Sequence, residues 1–125
     1  MDASERSPDT PSVMRFERLK EISGDDPEFE REVLGDFLES APEQMARARR
    51  ALAAGDGREL EQAAHSLKGS SRTLGAEILG GVLQELEAAG KSGDLDAARV
   101  RFELAEQELA RVRELLEEYL RKRAA

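Results

Sequence analysis

The chain has no cysteine and no tryptophan, and it has a single histidine among 125 residues. Without cysteine there is neither a disulfide framework nor a thiolate metal site, and one histidine cannot assemble an imidazole-rich one. No metal or other cofactor of the chain's own is therefore expected. No apolar run approaches the roughly 20 residues of a membrane span. The first twelve residues are polar and acidic rather than signal-like, so a soluble protein of a reducing, cytoplasmic compartment is expected. Positive charge is short as well: 19 Lys and Arg against 27 Asp and Glu leave a net charge of -8, which argues against nucleic acid as a partner. The length suits one domain with one core, without room for a separate ATP-binding domain. No phosphate loop and no nucleophile paired with a base is visible, so an independent enzyme is the least expected reading.

What is present is charge, at 37% of residues against 4% aromatic, in a chain rich in Ala, Leu, Glu and Arg, the composition of amphipathic helices. Residues 1–12 lack apolar periodicity and are expected to be a disordered tail, leaving a domain over 13–122. Phe16, Leu19 and Ile22, spaced at three, predict a short first helix stopped at Ser23-Gly24. Asp26 as N-cap and Pro27 at the first helical position open a long second helix. Its stripe is Phe29, Val33, Phe37, Ala41, Met45, Ala48 and Leu52, and Pro42 lies inside it, expected to kink rather than split it. After Gly55, Asp56 and Glu59 form a capping-box pattern for a third helix. That helix would bury Leu60, Ala63, Ala64, Leu67, Ser70, Ser71 and Leu74 before Gly75. A fourth, from about Glu77, would bury Leu79, Val82, Leu83 and Leu86 before Gly90. Gly93-Asp94 opens a fifth with the stripe Leu95, Ala98, Phe102, Ala105, Leu109, Val112, Leu116 and Tyr119. Short connections make neighbours antiparallel. The expected fold is all-α: an up-down four-helix bundle with a short additional N-terminal helix lidding one end.

On the third helix, at about 100° per residue, His65 lies roughly 160° from the centre of the apolar stripe, so it points to solvent. Arg58, Glu61, Gln62, Lys68, Gly69 and Arg72 share that outward face. A lone exposed histidine is ordinarily just a solvated side chain. Gly69 argues otherwise, because a glycine inside a helix costs about 1 kcal/mol relative to Ala and this one serves no core. It leaves open the approach to the imidazole one turn away, and Lys68 sets a positive charge within reach of phosphate oxygens. If the third and fourth helices form a hairpin turning near Ala76, residues equally far from the turn are neighbours, which pairs His65 with Glu87.

The run His65-Ser66-Leu67-Lys68-Gly69-Ser70-Ser71, followed by Leu74-Gly75, resembles the H-x-x-K-G…G motif of histidine phosphotransfer (HPt) domains. The likeness extends through the lid helix, the Ala41-Pro42-Glu43 step and the long last helix, from about residue 14 to 120. It implies that His65 is the phosphoacceptor, that Lys68 contacts the phosphoryl group and that Gly69 keeps the approach clear. It also implies that a carboxylate at Glu87 hydrogen-bonds the imidazole, with Gln62, one turn before His65, as the alternative. Accepting the Nδ1 proton would leave Nε2 as the outward nucleophile.

The implied partners are receiver domains of response regulators and a sensor histidine kinase, docking over Arg58, Glu61, Gln62 and Arg72. Mg²⁺ is expected on the receiver and not on this chain, and a monomer is expected because the accepting face must stay open. Two signalling rivals fit less well. The dimerisation helix pair of a histidine autokinase typically has an acid directly after its histidine and a proline shortly beyond, whereas Ser66 follows here. The phosphoaccepting domain of a chemotaxis-type kinase normally belongs to a much longer chain. A helical adaptor that docks receivers or kinases without being phosphorylated is the alternative from another class.

Overall fold

Helix ends are set by residues that satisfy the orphaned backbone groups there. In the computed structural model, which describes residues 10–124, Asp26 Oδ1 accepts from the amides of Glu28 at 3.0 Å and Phe29 at 3.3 Å, with Pro27 beginning the helix. Asp56 Oδ1 accepts from Glu59 N at 3.0 Å, and Asp94 Oδ1 from Ala97 N at 3.1 Å. The helices are α1 (Phe16–Ser23), α2 (Pro27–Ala54), α3 (Gly57–Leu74), α4 (Glu77–Ser92) and α5 (Leu95–Ala124). No strand occurs among the described residues. Residues 1–9, most of the expected tail, lie outside them.

The four long helices pack in a closed ring, α2 on α3, α3 on α4, α4 on α5 and α5 back on α2, while α1 lies across α2 and α3. This is the antiparallel bundle with a lid. Phe16 of the lid stacks on Tyr119 of α5 with ring centroids 4.9 Å apart. The chain is already tied down at Ser12, whose amide donates to Glu77 Oε1 at 3.1 Å and whose carbonyl accepts from Ile78 N at 3.0 Å. At the α3–α4 turn, Gly75 has φ 105° and a Cβ there would sit 2.4 Å from the Arg15 carbonyl oxygen. Only glycine fits.

Several details depart from the sequence expectation, among them Val82, Leu95 and Tyr119, which are only partly buried. Helix α2 runs unbroken through Pro42, but its first two buried turns carry Glu30 and Leu34 where Phe29 and Val33 were expected. Phe29 is 44% exposed and Glu30 only 2%. The charged residue is inside because it has partners there: Ser23 Oγ donates to Glu30 Oε2 at 3.5 Å and Arg123 Nε lies 3.3 Å from Glu30 Oε1. Ala51 is buried where Leu52 was expected, Leu52 being only partly so. The capping box at α3 is half-formed, since Glu59 turns its carboxylate to Arg47 of α2 and the Asp56 amide bonds Ala51 O at 2.8 Å instead. Ser70 is exposed, its hydroxyl donating back to Leu67 O at 3.1 Å, and Ser71 alone fills the core position.

The last departure shapes the site. Gly90 does not end α4, which continues to Ser92. Instead Gly90 packs against the start of α3, where a Cβ on Gly57 would meet Gly90 O at 2.5 Å and one on Gly90 would meet Gly57 O at 2.8 Å and Glu61 N at 2.9 Å. The two backbones touch, which draws α4 close to α3 one turn from Glu87. Gly57→Ala should therefore destabilise the protein by about 1–3 kcal/mol, as overpacking does. Gly81→Ala, with nothing within 4 Å of its Cβ, should stabilise α4 by up to about 1 kcal/mol. Urea unfolding midpoints check the pair, and equal midpoints for the two variants would contradict the close crossing.

Candidate functional site

Helices α3 and α4 lie side by side along a hairpin. Besides the Gly57–Gly90 contact, the stem of Arg72 lies across Gly80, where a Cβ would come within 2.7 Å of Arg72 Cγ. Between these two contacts, the imidazole of His65 stands 68% exposed on α3 with Nδ1 3.2 Å from Glu87 Oε2 and 3.3 Å from Oε1. Lys68 Nζ lies 2.7 Å from Glu87 Oε1. One carboxylate from α4 thus meets two side chains of α3.

Burial pushes the Glu87 carboxyl up, but the hydrogen bonds from Lys68 and then His65 outweigh it and leave it below the ordinary carboxylate range. Glu87 is then ionised near neutrality and can only accept, so Nδ1 carries the proton and Nε2 keeps a lone pair. In its neutral form the ring is thereby held as one tautomer, with the Nε2 lone pair on its exposed side. A Cβ on Gly69 would meet no atom within 4 Å, so the flank of the imidazole is open.

The outward-facing residues do not all converge. Glu61, Gln62 and Ser66 line a cleft of about 390 Å³ with His65 and Glu87. Gln62 is not at Nδ1. Its Oε1 accepts from Arg47 Nη2 at 3.3 Å. Lys68 does not stand out into solvent as the helical wheel implies: its side chain is 17% exposed and reaches sideways to Glu87. Arg72 is bound over α4 to Gln84, and Arg58, at the opposite end of α3, is exposed and outside the cleft.

Two features escaped the sequence reading. Arg47 of α2 lines the same cleft. Residues equally far from the Gly55 turn are neighbours too, which sets Arg47 opposite residue 63, next to Gln62. Toward the lid, α1, α2 and α3 also enclose a groove of about 270 Å³ lined by Ile22, Val33, Phe37 and Leu74, with Ser70 and Thr73 on its α3 side. Both Ile22 and Phe29 stay exposed nearby.

The sequence matches the Hpt domain over residues 32–119. The chain belongs to the Hpt family. Its fold is similar to that of histidine-containing phosphotransfer protein B from Pseudomonas aeruginosa PAO1, with a TM-score of 0.84 at 29% identity over 90% of this chain and 98% of that one. A histidine-containing phosphotransfer protein from Medicago truncatula shares the fold with a TM-score of 0.75 at 23% identity over 88% and 78% of the two chains. No curated protein sequence matches. This Hpt protein is thus a histidine phosphotransfer protein of a phosphorelay, of a family of phosphocarriers that work with receiver domains and histidine kinases.

The Glu87 cluster has a pH signature. A carboxyl depressed by folding contributes stability that is present above its unfolded pKa and is lost as pH falls through the lower folded value. The stability difference between wild type and Glu87→Gln should narrow as pH falls below about 4. Urea midpoints across that range provide the check, and a difference unchanged down to pH 2 would remove Glu87 from its ionised role.

Proposed function

We propose that His65 is the phosphoacceptor and that Nε2 is the atom that carries the phosphoryl group. The supporting observation is the Nδ1 contact to the Glu87 carboxylate at 3.2 Å on a ring otherwise open to solvent. In the forward step the Nε2 lone pair attacks the phosphorus of a receiver's phosphoaspartate in line. The N–P bond forms as the P–O bond to the aspartyl carboxylate breaks, the electron pair leaves with that carboxylate, and the Nδ1 proton stays on the ring against Glu87. The reverse step delivers the group to a second receiver. Lys68, already beside the ring, swings or shares its ammonium toward phosphoryl oxygens. Mg²⁺ bound in the receiver's acidic site would supply the remaining charge neutralisation during transfer.

The chain acts as a carrier without ATP-dependent kinase activity of its own, as a cytoplasmic monomer. A receiver docks across α2 and α3, with Glu61 and Gln62 at the cleft and Arg58 and Arg72 on either side, seven residues from His65. The exposed Ile22 and Phe29 with the adjoining groove supply the apolar part of that footprint, since interfaces bury apolar centres within polar rims.

Incubation with phosphorylated receiver domains should place acid-labile, base-stable label on the wild type and none on His65→Gln, whose helicity should be unchanged. Label on the variant at the wild-type level would sink the assignment; receiver binding with no label on either would favour the adaptor reading. Gly69→Leu should fold normally, having room for its side chain, yet slow transfer by about ten- to a hundred-fold through displacement of the partner. An unchanged rate would remove the access argument.

A further inference from the structure

Two cations stand near the imidazole, Lys68 paired with Glu87 and Arg47 paired with Glu59. The ammonium of Lys68 is 2.7 Å from Glu87 Oε1 and 3.4 Å from Oε2. Arg47 arrives from α2, with its side chain 31% exposed. Its Nε is paired with Glu59, Nη1 donates to Gln44 Oε1 at 3.4 Å and Nη2 to Gln62 Oε1 at 3.3 Å. A guanidinium has five N–H donors. Three are engaged here, which leaves one proton free on each terminal nitrogen.

The plain reading is a staple between α2 and α3. A staple needs one ion pair, which Glu59 provides. The two further amide contacts add little strength at these distances, but together with Glu59 they fix the plane of the guanidinium. That plane is fixed at the edge of the cleft that holds His65, Glu61 and Glu87. A pre-positioned fork suits carboxylate and phosphate oxygens, because little freedom is lost when they bind. The need for such a group follows from charge. The chain carries -8 overall, two carboxylates face the cleft, and a receiver approaches with an acidic, phosphorylated site. Like charge on both sides would slow encounter unless a local cation opposes it.

Resting on the reading of His65 as phosphoacceptor, we infer that Arg47 receives the incoming anionic oxygens of the receiver, through the two terminal N–H groups that Gln44 and Gln62 leave free. Those oxygens come from one of two sources, the carboxylates rimming the receiver's site or the travelling phosphoryl group.

The experiment compares wild type, Arg47→Gln, Arg47→Lys and Glu59→Gln in three assays with one receiver: phosphoryl transfer over a range of receiver concentrations and salt, affinity for the unphosphorylated receiver, and hydrolysis of phosphorylated His65. Arg47→Gln should raise the half-saturating receiver concentration about tenfold, as loss of a charged hydrogen bond does, and flatten the salt dependence. Arg47→Lys should fall between. If carboxylates are the source, affinity for the unphosphorylated receiver drops in parallel and the hydrolysis rate stays put. If the phosphoryl group is the source, that affinity is unchanged while maximal transfer and hydrolysis rates shift. Glu59→Gln weakens the staple to a neutral hydrogen bond and keeps the cation, so it should lose less transfer than Arg47→Gln. Equal losses in Glu59→Gln and Arg47→Gln, or wild-type values in all three assays for Arg47→Gln, overturn the inference. The affinity assay needs no label, so the carboxylate arm is judged even if His65 fails as acceptor, a failure that shows separately as absence of label on the wild type.

Discussion

The carboxylate of Glu87 is the group on which the site depends, because it is the one atom set that α4 contributes to a cluster otherwise built on α3. With Nδ1 of His65 at 3.2 Å and Nζ of Lys68 at 2.7 Å, it fixes the tautomer of one and the position of the other. Its reach is set by the backbone. A glutamate side chain spans only a few ångströms, so the contact exists only where α4 lies close to α3, and the bare crossing of Gly57 and Gly90 brings it there. Two glycines that look like helix stops or costs in the sequence therefore act on the chemistry through interhelical distance.

A buried carboxylate organises the other end. Glu30 is enclosed where α1, α2 and the end of α5 meet, in contact with Ser23 and Arg123. Burial, followed by hydrogen bonding to Glu30, pushes the hydroxyl of Tyr119 up from its usual range. A buried charge is tolerable only with such partners, so the lid helix and the last turn of α5 are specified together. That polar knot keeps α1 beside the apolar groove between α2 and α3, and the groove lies farther along the same two helices from the polar cleft that holds the exposed imidazole.

Much of this was legible in the sequence because caps and periodicity are local physics. Asp26-Pro27, Gly55-Asp56 and Gly93-Asp94 bound their helices as expected, and the α5 stripe from Ala98 to Leu116 is buried as its period requires. Counting outward from the α3–α4 turn was enough to bring Glu87 to His65. The failures share one cause, which is that partners on other helices decide between local alternatives. Phe29 outranks Glu30 on hydrophobicity, yet only Glu30 meets Arg123 and Ser23. Glu59 fits a capping box, yet Arg47 competes for its carboxylate. Gly90 reads as a stop until Gly57 is seen against it. Lys68 faces outward on an isolated helix and is drawn sideways only because Glu87 is ionised beside it.

The central claim is that His65 offers Nε2 because Glu87 holds the proton on Nδ1. Nitrogen NMR of the single histidine tests this most directly, in protein labelled with ¹⁵N and then phosphorylated by a receiver. Before transfer, the ring should be a neutral Nδ1–H tautomer, and after it the ³¹P coupling should appear on Nε2 while Nδ1 keeps its proton. Coupling on Nδ1, or an Nε2–H tautomer at the start, would contradict the account.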